Sequence, residues 1–237
     1  MSNTDIFLDK YKQLEVAVRH TYKLDKYASA IAFLKKQRSY QKYISEIELC
    51  ADVRNLLSHN PKVNGNYAVE PSGKVLEFMD FLIDSVRNRV RCADIAIKFR
   101  SISRSTMNGR VRDAVETMKL THHSHIPIVG NHRVLGIFDE NVLFSILAGE
   151  GISVLSDNPN LKFSDVQKYI SLEDKGSKKY IFVPASMDID ELQDVFDRYY
   201  LEKKRVGLVF VTKNGREDEP LMGLLTPWDV ISARSRM

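Results

Sequence analysis

The sequence predicts a mixed α/β (α+β) protein, with an N-terminal all-α bundle over residues 1–92 and two copies of a small β-α-β-β-α unit over residues 93–237. Two observations predict it. Apolar residues recur at helical spacing through the first segment, with no β-branched alternation. After Asp94 short apolar runs alternate with short helical stretches, and the same order of elements returns a second time.

In the helical segment, Ile6, Tyr11, Leu14 and Val18 share one face, as do Ile44, Ile47, Val53, Leu56 and Leu57. A polar, glycine-containing stretch, Asn60–Glu70, precedes Pro71, which is suited to the first turn of a further helix bearing Val75, Leu76, Met79, Leu82, Ile83 and Val86. Four or five helices are expected. In the first repeat, about 97–150, His125–Val129 reads as a strand, Asn131-His132-Arg133 as a turn, Val134–Phe138 as the returning strand and Asp139–Leu147 as a helix. In the second, about 178–236, the order is strand Tyr180–Val183, helix Ile189–Leu201, hairpin Val206–Thr212 with Leu221–Leu225, and closing helix Thr226–Ala233. Gly149–Lys179 connects them through a short amphipathic stretch, Phe163–Leu172. Each unit is too small to bury both faces of its sheet, so the two are expected to pack around shared sheets.

The apolar fraction of 43% suits a chain that buries a core. No apolar run approaches the roughly 18 residues of a membrane span, and the first twenty residues lack a signal-peptide apolar region, so a soluble, cytoplasmic protein without membrane contact is expected. Cys50 and Cys92 are the two cysteines, too few for a disulfide framework or a four-ligand zinc site. His122, His123 and His125 have no cysteine or convincing carboxylate near them in sequence and are read as strand-entry residues, with no metal. Net charge is +4, but residues 87–112 carry eight basic groups against Asp94 alone. This band is either a solvated helix end and linker or an attractor of phosphate or RNA.

Two runs carry a family resemblance. Ser124-His125-Ile126-Pro127-Ile128-Val129 and Gly223-Leu224-Leu225-Thr226-Pro227-Trp228-Asp229 resemble the middle strand and the closing strand-to-helix motif of CBS domains, in the right order within a duplicated unit. The resemblance implies a tandem CBS pair, or Bateman module, sensing an adenine nucleotide (AMP, ADP or ATP) as a regulatory ligand. Thr226 as cap and Pro227 as first helical residue leave free N–H groups at a helix N-terminus, a natural place for phosphate. Asp229, one turn in, can accept hydrogen bonds from ribose hydroxyls. The resemblance further implies base contacts from the preceding strand, through Ile181 and Val183, with Arg205 and Gly207 at the middle strand as further nucleotide-binding candidates. Thr-x-x-Asp before a helix is also an ordinary capping box. The first repeat departs from the pattern: Asp139 stands at the Thr position and Val142 at the Asp position. One working site per chain is expected.

Arg54-Asn55-Leu56-Leu57-Ser58-His59, late in a helix of the first segment, resembles the motif of HEPN domains. That resemblance implies a metal-independent endoribonuclease acting at a composite cleft of a homodimer. His59 would be its general acid or base, Arg54 the stabiliser of phosphate charge and Asn55 an orienting group. The alternative is an adaptor whose helical segment dimerises or binds a partner or RNA, with no reaction. The expected partners are therefore an adenine nucleotide, RNA and further copies of the chain, as a homodimer or a higher homo-oligomer such as a tetramer.

Overall fold

The structure, a computed structural model, describes residues 2–59, 62, 67, 69–172 and 178–234. The chain folds as two units, Met1–Arg89 and Val90–Met237.

The first unit is helical: α1 (Asn3–Tyr22), α2 (Ala30–Leu34), a 3-10 turn (Arg38–Tyr43), α3 (Ile44–His59) and α4 (Gly73–Arg87). Ser2 and Asp5 form a capping box that starts α1, and Lys23 in the left-handed region ends it. The core joins Phe7, Tyr11, Leu14 and Val18 of α1 to Ile47, Cys50 and Leu57 of α3 and Met79, Leu82, Ile83 and Val86 of α4. Two details differ from the periodicity reading. Phe7 rather than Ile6 takes the buried position, and Leu56 is 39% exposed because the α3 stripe runs through Ile47, Cys50 and Leu57. Pro71 precedes the N-cap Ser72 rather than lying inside α4. Most of Asn60–Glu70 lies outside the described residues.

The second unit opens with α5 (Cys92–Ile95), β1 (Ile97–Lys98) and a 3-10 turn (Phe99–Ser101). The first repeat continues with α6 (Val111–Thr121), β2 (His125–Gly130), β3 (Arg133–Asp139) and α7 (Glu140–Glu150). Short helices α8 (Val154–Asp157) and α9 (Gln167–Ile170) follow. The second repeat comprises β4 (Lys178–Pro184), α10 (Ile189–Leu201), β5 (Arg205–Thr212), β6 (Gly223–Leu225) and α11 (Pro227–Arg234). The β2–β3 turn places Asn131 and His132 at φ of 49° and 62°, the left-handed pair that a two-residue hairpin requires.

β4 pairs in parallel with β5, β5 antiparallel with β6, and β1 antiparallel with β6, giving the order β1-β6-β5-β4. The short strand that opens the first repeat thus completes the sheet of the second. β2 and β3 form an antiparallel pair, and the first repeat has a single parallel bridge, Ser105 to Ile128, where the second has all of β4.

Strand parity sorts the cores. Ile181 and Val183 of β4, Val209 and Val211 of β5 and Leu225 of β6 face α10 and α11, packing on Ile189, Leu192 and Val230. Their alternates, Leu208, Phe210 and Leu224, meet Ile102, Val129, Val134 and Ile137 of the first repeat, with Tyr180 and Phe182 packed alongside. The first repeat's outer core sets Ile126, Ile128 and Phe138 against Val142 and Ile146 of α7, with Phe163, Val166 and Ile170 from the connecting segment.

Candidate functional site

The two repeats correspond residue for residue through their hairpins. Ile128 pairs with Gly136 in one, and Val211 pairs with Gly223 in the other. Asp139 and Thr226 then occupy the same place, at the start of α7 and α11. On the parallel side, Ser105 bridges Ile128 as Val183 pairs with Val211, so the Phe99–Ser105 segment is the counterpart of β4. Each strand-to-helix junction opens into a cleft whose other wall comes from the opposite repeat.

The cleft at Thr226 has a volume of about 200 Å³ and is lined by Ile97, Ser101, Ile102, Ser103, His122, His123, Ser124 and His125 of the first repeat with Leu208, Leu224 and Thr226 of the second. Asp229 folds back onto its cap: its Oδ2 accepts from the Thr226 N–H at 2.7 Å and from the Thr226 hydroxyl at 2.8 Å. This is the capping box, and it holds the carboxylate at the helix mouth. Ser103 Oγ lies 3.0 Å from His123 Nδ1, and Ser124 Oγ 2.8 Å from His125 Nδ1. Burial pushes the His125 imidazole down to about 4, Lys178 pushes it the same way and Asp139 opposes them, so the ring is neutral at pH 7.

The cleft at Asp139 is about 370 Å³ and is lined by Asp139, Asn141, Val142 and Ser145 of the first repeat, Lys168 and Tyr169 of the connecting segment, and Lys178 and Tyr180 of the second repeat. Here the motif carboxylate is 1% exposed and fully engaged. Its Oδ1 accepts from the Val142 N–H at 2.8 Å, and its Oδ2 accepts from Lys178 Nζ at 2.7 Å and Tyr180 Oη at 2.5 Å. Burial alone would raise the Asp139 carboxyl, but the hydrogen bonds from Lys178, Tyr180 and Val142 outweigh it and hold the group below the usual carboxylate range. Burial and the bond to Asp139 push the Tyr180 phenol upward.

The structure thus brings Thr226 and Asp229 together and places the other candidates elsewhere. Ile181 and Val183, 8% and 2% exposed, belong to the core against α10 and α11 and do not line the Thr226 cleft. The parity of β4 sends them to the helix side, and the wall facing Thr226 comes from Ser101–Ser103 instead. Gly207 lies under the Lys178 side chain, where a Cβ would come within 2.6 Å of Cε. Arg205 borders a separate groove with Phe196, Tyr200, Pro227 and Ile231. Sequence reasoning missed the serines, His122 and His123 as cleft residues, and it read Tyr180 only as a strand residue and Lys178 only as part of the connecting segment. The repeat equivalence of Ser105 and Val183 is the signal that leads to them.

In the helical unit, Arg54 is half-buried, its guanidinium carbon 5.8 Å from the Tyr11 ring centroid and its Nη1 3.3 Å from Asn55 Oδ1. Burial pushes the Tyr11 phenol up to about 12. Asn55 is exposed, and so is His59, the last residue of α3.

Among the described residues no helix is long and apolar enough to cross a membrane, and no group of three His, Cys, Asp or Glu side chains comes together at metal-binding range. Residues 107–149 match the family model of the CBS domain. No curated protein matches the chain in sequence. Among solved structures, CBSX2 in complex with AMP is 15% identical, with 62% of this chain and 96% of that one covered and a TM-score of 0.45. A CBS domain-containing protein from Bacillus anthracis is 11% identical over 62% and 94%, with a TM-score of 0.44. The CBS domain pair of protein MJ0100, in complex with 5′-methylthioadenosine and S-adenosyl-L-methionine, is 15% identical over 62% and 98%, with a TM-score of 0.43.

Proposed function

We propose, from the CBS match over residues 107–149 and the repeat of that architecture after β4, that the second unit is a tandem CBS pair that binds an adenine nucleotide in the Thr226 cleft and acts as a regulatory sensor. The observation that carries the reading is the Thr226–Asp229 arrangement at the mouth of an inter-repeat cleft. Both Thr226 donors are taken by one carboxylate oxygen, which leaves Asp229 Oδ1 for the vicinal hydroxyls of a ribose. The N-terminus of α11, with its positive dipole end, favours phosphate at the same mouth. Ile97, Ile102, Leu208 and Leu224 offer an apolar bed for a base. In the Asp139 cleft the equivalent places hold a carboxylate and Val142, so it takes no nucleotide in this way. Calorimetry against AMP, ADP, ATP and S-adenosylmethionine tests the proposal. One site per chain is expected, lost in Asp229→Ala and retained in Val142→Ala. Two equal sites, or none for any adenine ligand, would refute it.

The helical unit supports a second, separable reading as a HEPN-like, metal-independent endoribonuclease of a homodimer. Arg54, held by Asn55 and the Tyr11 ring, is pre-positioned for a phosphate, and His59 is open to solvent. In that reading His59 takes the proton of a ribose 2′-hydroxyl as its oxygen attacks phosphorus, the P–O5′ bond breaks with the leaving oxygen protonated from solvent, and a 2′,3′-cyclic phosphate remains. Nucleotide binding would regulate this activity to the extent that the ligand prefers one arrangement of the dimer over another.

A further inference from the structure

The wall of the Thr226 cleft divides by chemistry. Ile97, Ile102, Leu208 and Leu224 form its apolar part, and serines, histidines and Thr226 its polar part. Among the described residues of this wall, the side chains able to carry positive charge are His122, His123 and His125. Burial holds His125 neutral, and its Nε2 is buried as well. His122 and His123, both exposed, are therefore the two that can meet an anion entering from solvent. Cations on the neighbouring segment are committed elsewhere: Lys98 donates to the Ala93 carbonyl, and Arg104 donates to the Phe99 and Ile102 carbonyls at 3.1 Å.

Local structure sets His123 in place. His122 ends α6 at φ 55°, a left-handed conformation that histidine adopts more readily than most side chains. The His123 N–H then donates to Thr121 Oγ1 at 3.4 Å, and its ring Nδ1 lies 3.0 Å from Ser103 Oγ. Two wall segments, the α6–β2 turn and Ile102–Ser103, are joined by that ring contact. In the neutral ring, a Ser103 hydroxyl donating to Nδ1 leaves the proton on Nε2, and in the charged ring both nitrogens are protonated. Nε2 is a donor in either state.

We infer that the Thr226 cleft is a nucleoside monophosphate site, with the ligand's single phosphate held between His123 and the N-terminus of α11. This depends on the adenine-nucleotide reading above, and adds to it the number of phosphates and the side chain that meets them. A pair of imidazoles and one helix end answer the charge of one phosphate. Each further phosphate would bring charge into a wall of about 200 Å³ with no lysine or arginine among its described residues, where Asp229 already sets a carboxylate at the mouth. Uncompensated charge there weakens binding.

Calorimetric titration with adenosine, AMP, ADP and ATP, without divalent cations, tests the assignment. AMP should bind wild type about ten-fold more tightly than adenosine, the worth of one charge-assisted hydrogen bond, and affinity should fall again from AMP through ADP to ATP. His123→Ala should bring AMP to the adenosine level and leave adenosine unchanged. Ser103→Ala, which frees the ring, should weaken AMP by a smaller factor with adenosine again unchanged. Arg205→Ala, at a separate groove, should preserve the ranking. The His123 side chain is exposed, so its variant should melt like wild type. ATP binding as tight as AMP, or an AMP-to-adenosine ratio unchanged in His123→Ala, would overturn the inference with nucleotide binding intact. Failure of wild type to bind any of the four ligands would instead remove the parent reading.

Discussion

Gly136 and Gly223 hold the same place in the two hairpins, and each lies against a backbone carbonyl. A Cβ at position 136 would sit 2.5 Å from the Ile170 oxygen, and one at 223 would sit 2.8 Å from the Ile97 oxygen. Both carbonyls belong to segments that enter a repeat from outside it. The glycine that opens each strand-to-helix motif therefore serves packing, three residues before the position that faces the cleft.

Gly223→Ala should be destabilising although alanine is a better strand residue, because the neighbour is backbone and cannot swing aside. A loss of about 1–3 kcal/mol is expected, which lowers the melting temperature by about 2–4 °C per kcal/mol for a unit of this size. Gly73→Ala, where nothing lies within 4 Å, is the control and should be neutral or stabilising. Equal melting temperatures for the Gly223 and Gly73 variants would show that β1 moves away freely.

Asp139→Asn should cost about 2–4 kcal/mol at pH 7, since it strips Lys178 of its counter-charge in a largely buried site. The pH dependence has a definite sign. The folded-state pKa of Asp139 is depressed, so its contribution is complete above the unfolded value near 3.9 and is lost as pH falls through the depressed folded one. Urea midpoints of wild type and variant should therefore converge on acidification below that value. A gap that persists unchanged into strong acid would locate the loss elsewhere than in the ion pair.

His125 sets a second, separate pH window. With its folded pKa near 4 and its unfolded one near 6.5, the unfolded chain binds the extra proton between those values. Stability should fall by about 1–2 kcal/mol from pH 7 to pH 5 on this account. His125→Phe should flatten that part of the profile, with Lys178 and Asp139 unchanged as the charged groups beside it. The same slope in both proteins would assign it to other groups.

His59→Ala should leave thermal stability within about 0.5 kcal/mol, because the side chain is exposed at a helix end. If the helical unit cleaves single-stranded RNA, the same variant should lose a general acid/base contribution of about 10²–10⁴ in rate, insensitive to chelators. Arg54→Lys should be nearly as poor, because a point charge does not reproduce the planar guanidinium, here 5.8 Å from the Tyr11 ring centroid. Equal RNA degradation by wild type and His59→Ala would assign the activity to a contaminant and leave the adaptor reading.

Periodicity made most of the second unit legible. Ile189–Leu201 is a helix at the residues expected, and the Asn131–His132 turn falls where its left-handed-tolerant residues put it. The first repeat has less strand than its pattern suggests, because Phe99–Ser101 coils into a 3-10 turn and Ser105 alone bridges to β2. The cleft walls were harder to read. Thr226 and Asp229 announce themselves by local spacing, but their neighbours Ser101–Ser103 arrive from the other repeat, and no local pattern encodes that approach. Ile181 and Val183 are apolar on the adjoining strand, yet alternation along β4 turns them to the far face. Lys178 carries no motif at all; its role follows from the carboxylate it meets.

The pairing of Ile97–Lys98 with Leu224 and Gly223 has a consequence for how the chain comes to be assembled. During synthesis the edge strand emerges long before the strand that receives it, and the whole first repeat is made in the interval. The second sheet can close only once β6 has been made, so the two repeats are expected to consolidate as one cooperative event rather than in sequence. A fragment beginning at β4 would lack that edge and expose β6 to whatever strand it next encountered.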